Sequence, residues 1–339
     1  MRNTNTKTNL FIIKGDLIMR KLENKGVVQG KIYDHSLEIK QVQKKGNNFG
    51  KDFIMGELRI QVGDKDSMRI IPVRYGYTPP VYNSGKENKN FYLLKQIIEE
   101  GKTVVEDGWE NAWYVEANIE LETDDGYDVQ ADEMRTYQRN RGSFLRIYAN
   151  DSRFKNSDDE RCHFSADVII SKVRELEEDE EEGRPRKAIL SCAVFNFRNE
   201  YMPFEMVCYN EGGIDYFVNM DINSSNPLFT KVAGFINNSQ IKTIKTEESA
   251  FGEAMVTESV RTVREWVINW CRPDSYEIDG EDITSEEIKT MLANRETHLA
   301  EVKQNRLEYE AQKREGGLGV SAFDSPANTV QAGASPFKF

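Results

Sequence analysis

The sequence predicts a mainly β protein of two tandem five-stranded barrels, followed by a C-terminal helix, and two observations carry that expectation. Residues Val27 to Tyr77 alternate apolar and polar positions, with breaks at Lys44 to Gly50 and Gly63 to Ser67, which is the pattern of three half-buried strands joined by polar turns. Residues Phe164 to Tyr209 repeat the plan as FSADVIISKVREL, KAILSCAVFNF and YMPFEMVCY, and the third strand of each set carries a proline, Pro72 and Pro203. One fold used twice is the reading.

Residues 1–25 are expected to form a loose leader. Lys14, Gly15 and Asp16 can be encoded by a ribosome-binding-like purine run, so Met19 is an expected translation start. After the first three strands, FYLLKQIIEEGK gathers Leu93, Leu94, Ile97 and Ile98 on one helical face and ends at Gly101. Trp113 to Leu121 alternates as a fourth strand and Ser143 to Tyr148 reads as a fifth, with a long polar connection, Glu122 to Gly142, between them. Strand, strand, strand, helix, strand, strand is the order of the Greek-key barrel called the OB-fold, so residues 26–156 are expected to be one OB-like domain.

Asn150 to Asp159 reads as a linker, and residues 157–275 as a second OB-like domain. Its first hairpin turns through EEDEEEGRPR, an acidic stretch expected to be a solvated tip. NEGGIDYFVNMDI is its helix candidate, and Phe229 to Ile236 its fourth strand. Ala254 to Cys271 fits helical and alternating spacing alike; its β-branched and aromatic content, and the need for a closing strand, favour a strand. Trp266 and Trp270 within it are expected to pack. Residues 284–315 begin with a capping-box-like TSEE and carry Ile288, Met291, Leu292, Leu299 and Val302 as one narrow stripe, so they read as a helix packed on its own domain. The Gly, Ala, Ser, Asn and Pro content of residues 316–339 predicts disorder.

Of the 339 residues 38% are hydrophobic and 10% aromatic, enough for packed cores. With 57 acids against 45 bases the net charge is −12, so any hold on nucleic acid has to come from a local basic groove. Cys162, Cys192, Cys208 and Cys271 form no Cys-x-x-Cys pair, and His35, His163 and His298 stand far apart, which disfavours a metal site and suits reduced thiols in a cytoplasmic protein. No apolar run reaches membrane-spanning length. The common catalytic fingerprints are missing, no cofactor is expected, and scattered acids such as Asp124 and Asp125 read as solvated loops.

The positive signal is cations interleaved with aromatic rings. One cluster holds Arg69, Arg74, Tyr75, Tyr77, Tyr82 and Lys86, continuing to Lys89, Phe91 and Tyr92; the other holds Arg135, Tyr137, Arg139, Arg141, Phe144, Arg146 and Tyr148, continuing to Arg153, Phe154 and Lys155. Single-stranded nucleic acid asks for this combination: cations track phosphates while ring faces stack on unpaired bases, at about 1–3 kcal/mol per base. Strand aromatics that point inward beside ordinary surface arginines produce the same pattern. Phe337 and Phe339 at the C-terminus suit capture by a hydrophobic pocket with basic flanks on a partner protein.

The chain resembles phage-encoded single-stranded DNA-binding proteins built on OB-folds, in GKDFIMGELRIQ with IIPVRYGY, in AVFNFRNEYMPFEM followed by NEGG, and in EESAFGEAM to VREWVI. The resemblance implies a non-enzymatic protein that protects transient single-stranded DNA in replication and recombination and docks replication partners through a tail ending in Phe. This tail carries Lys338 between its phenylalanines and lacks a run of acids before the tip. The alternative expectation is a phage structural or assembly protein making protein contacts only.

Overall fold

Alternation is written directly into the strands: in IIPVRYGYT, Ile71, Val73 and Tyr75 are buried while Ile70, Pro72 and Arg74 face outward. The computed structural model describes residues 22–43, 48–67, 69–179, 184–247, 251, 255–273 and 283–316. The first unit contains β1 (Asn24–His35), β2 (Glu38–Gln41), β3 (Asp52–Gln61), β4 (Ile70–Thr78), α1 (Lys89–Glu100), α2 (Val104–Asp107), β5 (Tyr114–Asp128) and β6 (Glu133–Tyr148). After α3 (Asp158–Arg161), the second contains β7 (His163–Leu176), β8 (Lys187–Phe195), β9 (Tyr201–Cys208), α4 (Glu211–Asn219), β10 (Leu228–Glu247) and β11 (Met255–Cys271), and α5 (Ser285–Gly316) follows.

Hydrogen bonding closes the first ring in the order β1, β3, β4, β6, β5 and back to β1. Every contact in it is antiparallel except β4 with β6, which run parallel where Arg74 meets Arg141. The second ring closes as β7, β8, β9, β11, β10 and back to β7, again with one parallel contact, Val207 with Val267. A helix, α1 or α4, leads from the third barrel strand to the fourth in each. Both rings are therefore OB-folds by their own strand order. β1 also pairs with β7, Asn24 opposite Ala166 and Gly26 opposite Phe164, so the two rings share one 11-stranded sheet.

The elements differ from expectation in four places. The leader is not loose to its end: Leu22 is buried, Asn24 opens β1, and Glu23 accepts hydrogen bonds from Ser165 and an ion pair from Lys231 at 2.9 Å. The first strand breaks before β2, where the Ser36 carbonyl presses on Gly56; a Cβ there would lie 2.3 Å from Ser36 O, and φ is +137°, which glycine tolerates. The linker carries α3 and buries Phe154 edge-on to Tyr114 and Tyr148.

The fourth difference is the largest. The stretch 122–142 is a hairpin arm: β5 and β6 stay paired from Tyr114 with Tyr148 out to Asp128 with Glu133. At 15 residues β5 spans roughly 50 Å. Its outer part is polar on both sides and shows no apolar alternation; charge pairs hold it instead, Glu122 with Arg141 at 3.1 Å and Asp128 with Arg135 at 3.0 Å. β10 and β11 form a matching arm, and the ambiguous segment is a strand over its described residues, Met255–Cys271. Residues 1–21, the acidic tip 180–183 and the tail from 317 onward, with the expectations attached to Met19, Phe337 and Phe339, lie outside the described residues.

The two arms reach across to each other's barrel. Gln138 of β6 donates to the Glu205 carbonyl of β9 at 3.1 Å, and Asn238 of β10 donates to the Ile70 carbonyl of β4. Between them the Trp266 indole N–H donates to Asn140 Oδ1 at 3.0 Å while Asn140 Nδ2 donates to the Pro72 carbonyl at 3.1 Å. The capping box of α5 is formed, Thr284 N–H donating to Glu287 at 2.7 Å and Glu287 N–H to Thr284 at 3.2 Å. From there α5 buries Ile288 and Met291 against Phe195, Ala193 and Phe229, then crosses to the β5–β6 arm, where Arg295 meets Asp125 at 2.5 Å. Of the sequence stripe, Leu292 stays exposed.

Candidate nucleic-acid interface

In an OB barrel the outer face of the second and third strands, with the loops beside it, is where oligonucleotides or oligosaccharides bind. In the first barrel that face belongs to β3 and β4, and it is open: Phe53, Met55, Glu57 and Arg59 on β3, with Pro72, Arg74 and Gly76 on β4, are all at least partly exposed. Phe53 and Tyr77 lie against each other with ring centroids 4.9 Å apart, and Tyr77 is 53% exposed. Phe49, in the β2–β3 connection, and Tyr82, in the β4–α1 loop, are exposed as well. That loop is a small hairpin in which Tyr82 N–H donates to the Lys86 carbonyl at 2.8 Å, with Lys86 exposed. β6 adds Tyr137, 39% exposed, with the Arg139 guanidinium 5.5 Å from its ring centre.

The second barrel treats the same face differently. β8 is buried on both sides: Ala188, Leu190, Cys192 and Val194 join the inner core, while Ala193 and Phe195 lie under α5 and Ile189 packs with Val207 and Val267. On β8 only Ser191 is partly exposed, while on β9 Tyr201, Pro203 and Glu205 remain at least partly exposed.

Several predicted residues do not sit on an accessible surface. Tyr75 is buried, against Gly142, where a Cβ would meet the ring at 2.4 Å; burial alone pushes its phenol up, and the ring is unavailable for stacking. Phe91 and Phe154 are buried too. Arg69 is drawn into the junction of the barrels, pairing with Asp159 at 2.6 Å over the Phe235 ring, so it is a structural cation. Arg74 pairs with Asp124 at 2.5 Å, Arg135 with Asp128, Arg141 with Glu122 and Arg146 with Glu116. The Arg135–Tyr148 cluster is consequently a charge-balanced ladder rather than a basic strip, because the acids of β5 lie opposite it. Phe144 is half-buried beneath Arg146, and Tyr148 packs edge-on to Phe154 at 5.8 Å. Trp266 packs as expected, whereas Trp270 is 47% exposed.

The structure thus brings together Arg74, Tyr77, Tyr137, Arg139 and Arg141 on adjoining strands β4 and β6, with Tyr82 and Lys86 in the loop that leaves β4. Sequence reasoning missed Phe53 and Phe49, which lie outside the basic clusters, and Arg264 on β11, which lines the same cleft as Arg74 and Arg139. Asp124 and Asp125 are taken up by arginines, which argues against their collecting a metal ion.

The YorF family model matches residues 23–305, which include both barrels and most of α5. The chain belongs to the YorF family. No curated protein matches it. This YorF-family chain is similar in structure to the wild-type single-stranded DNA-binding protein of Thermus aquaticus, with a TM-score of 0.45 and 9% identity over 77% of this chain and 97% of that one. A deletion variant of the Thermus protein gives a TM-score of 0.45 and 9% identity over 77% of this chain and 98% of that one. No helix among the described residues is long and apolar enough to cross a membrane.

Proposed function

We propose that this protein binds single-stranded DNA, without catalysing a reaction, on the outer face of β3 and β4 in the first barrel, and protects it during phage replication or recombination in the cytoplasm of the host. One observation carries the reading: the oligonucleotide-binding face of an OB barrel is open in the first barrel and bears exposed rings, Phe53 with Tyr77 and Tyr137 with Arg139. Stacking on two or three of these rings, with Lys86 and Arg139 at phosphates, gives useful affinity with little sequence preference, at about 1–3 kcal/mol per stacked base. Phe337 and Phe339 remain the proposed docking point for replication or recombination proteins.

A second reading, a phage assembly protein making protein contacts only, is favoured by the pairing of Arg74, Arg135, Arg141 and Arg146 with acids, which leaves few cations for phosphates. Anisotropy of a labelled oligo-dT at low and moderate salt separates the two. Salt-sensitive binding, competed by single strands and not by duplex, supports the first; a single-stranded RNA competitor identifies the strand type. No binding at low salt rejects it in favour of the second.

A further inference from the structure

The arms of the two barrels meet along a cleft that the open face of the first barrel runs into. Its walls come from both units: Arg74 and Arg139 on one side, Arg264 and Asn238 on the other, with Glu57 and Glu265 beside them. β10 and β11 hold Asn238 directly opposite Arg264. Glu265 is already satisfied, by Lys187 at 2.6 Å and by the Tyr209 hydroxyl at 2.6 Å, and Arg74 is held by Asp124, so among the described residues Glu57 is the acid left beside Arg139 and Arg264, neither of which has a carboxylate partner there.

Two features mark the cleft as made for a ligand. Arg139 Nε is shut away from solvent and has no hydrogen-bond partner, and so is Asn238 Oδ1 on the opposite wall. A buried polar atom without a partner costs about 1–3 kcal/mol, so an opening of this narrow cleft, about 30 Å³ in volume, that admits a molecule carrying both kinds of group is favoured by meeting the donor and the acceptor together. Arg264 is exposed, and no acid among the described residues pairs with it. A nucleotide supplies what is missing: phosphate oxygens accept from guanidinium groups in the paired geometry that arginine favours, and base amino groups donate.

We infer that the cleft is a second binding element for the same strand, in which Arg139 of the first barrel and Arg264 of the second grip one backbone phosphate while Asn238 accepts from an adjoining base. The inference rests on the single-strand reading above and extends it: the second barrel, whose β8 is covered on both sides, contributes to binding through its arm. A strand lying on β3 and β4 then crosses the seam, and a strand too short to reach it is held by the first barrel alone.

The test compares wild type, Arg264→Ala, Arg264→Lys and the control Arg174→Ala, an exposed arginine outside the cleft, by anisotropy with oligo-dT of graded length across a salt series. For long oligonucleotides Arg264→Ala is expected to weaken binding about tenfold and to lower the slope of log K against log salt by about 0.7, the share of one single-strand phosphate. For oligonucleotides of about four nucleotides, near the lower limit for one OB barrel, it is expected to change nothing. Arg264→Lys should restore the slope and only part of the affinity, because one ammonium replaces a two-pronged contact; Arg174→Ala should match wild type. Arg264 has no ion-pair partner among the described residues to lose, so equal melting temperatures are expected and serve as the folding check. Wild-type binding with an unchanged affinity and slope in Arg264→Ala overturns the cleft and leaves the first-barrel site standing. Absence of wild-type binding overturns both.

Discussion

The two barrels have the same strand order and opposite surfaces. The outer side of β8 in the second barrel carries Ile189, Ala193 and Phe195 and is buried, under α5 in its later part; the outer side of β3 in the first carries Phe53, Met55, Glu57 and Arg59 and is not. Topology alone therefore does not say where an OB barrel binds. What decides is whether the outward positions are apolar enough to recruit another part of the chain, and in β8 they are: its sequence KAILSCAVF is nearly continuously hydrophobic, the mark of a strand covered on both faces. DFIMGELRIQ keeps alternation, and so keeps one face free.

Paired substitutions on the two faces test this contrast most strongly. Phe195→Ala should lower stability by about 3–5 kcal/mol, read from denaturant unfolding, because it leaves a cavity beneath α5. Phe53→Ala should leave stability within about 0.5 kcal/mol and weaken oligo-dT binding instead. Equal losses of stability from both would show that the first face is covered too. Arg295→Ala breaks an ion pair whose side chains are only 10% and 4% exposed and should cost up to about 3 kcal/mol, the lower end for a broken buried pair, since Asp125 keeps the Thr136 hydroxyl at 2.7 Å and the His298 ring at 3.5 Å. Burial pushes the Asp125 carboxyl up, but Arg295 and Thr136 hold it below its ordinary value, so the loss should be full above pH 4 and shrink as the acid protonates at lower pH.

Trp266→Phe keeps the ring and deletes the indole N–H that reaches Asn140, leaving a buried acceptor; a loss of about 1–3 kcal/mol is expected, with faster proteolysis of the arms if the barrels loosen. Tyr77→Ala should weaken binding about fivefold to a hundredfold in anisotropy without shifting the melting temperature, whereas an unchanged affinity would remove Tyr77 from the stacking surface. Glu23→Gln sharpens the seam between the barrels. Burial raises the Glu23 carboxyl, and Ser165, Lys231 and Lys25 outweigh it, holding the group at about 2. Its contribution is therefore present above about pH 4.5 and lost as pH falls through about 2, so wild type and variant melts should converge in acid. The smallest effect belongs to Arg146→Ala. Glu116 already neutralises that arginine, and a change in salt slope well below that of Arg264→Ala is expected.

Much of the fold was legible because strand alternation is a local property. The three-strand plan of each barrel, the closing strand Met255–Cys271 and the capping box before α5 follow from side-chain spacing and from backbone groups that need partners within a few residues. The outer half of the β5–β6 arm was not legible, since its stability comes from acids and arginines opposite each other on two strands, and neither strand signals that alone. The same cause misdirected part of the candidate site. Arg135, Arg141 and Arg146 look basic along the sequence and are neutral in space, while Tyr75 and Tyr77, which strict alternation puts on one face, part company because the β3–β4 register shifts between Ile54 and Gly56, leaving Tyr75 buried and Tyr77 exposed.

The sequence by itself determined that there are two barrels and where rings and cations are concentrated, because both are written in the order and spacing of residues. Which face stays open, which arginines keep an uncommitted charge, and that Arg139 and Arg264 line one cleft were decided only by tertiary structure. Those properties depend on pairs of residues as far apart as Trp266 and Asn140, or Arg295 and Asp125, brought together when α5 and the two arms fold across the barrels.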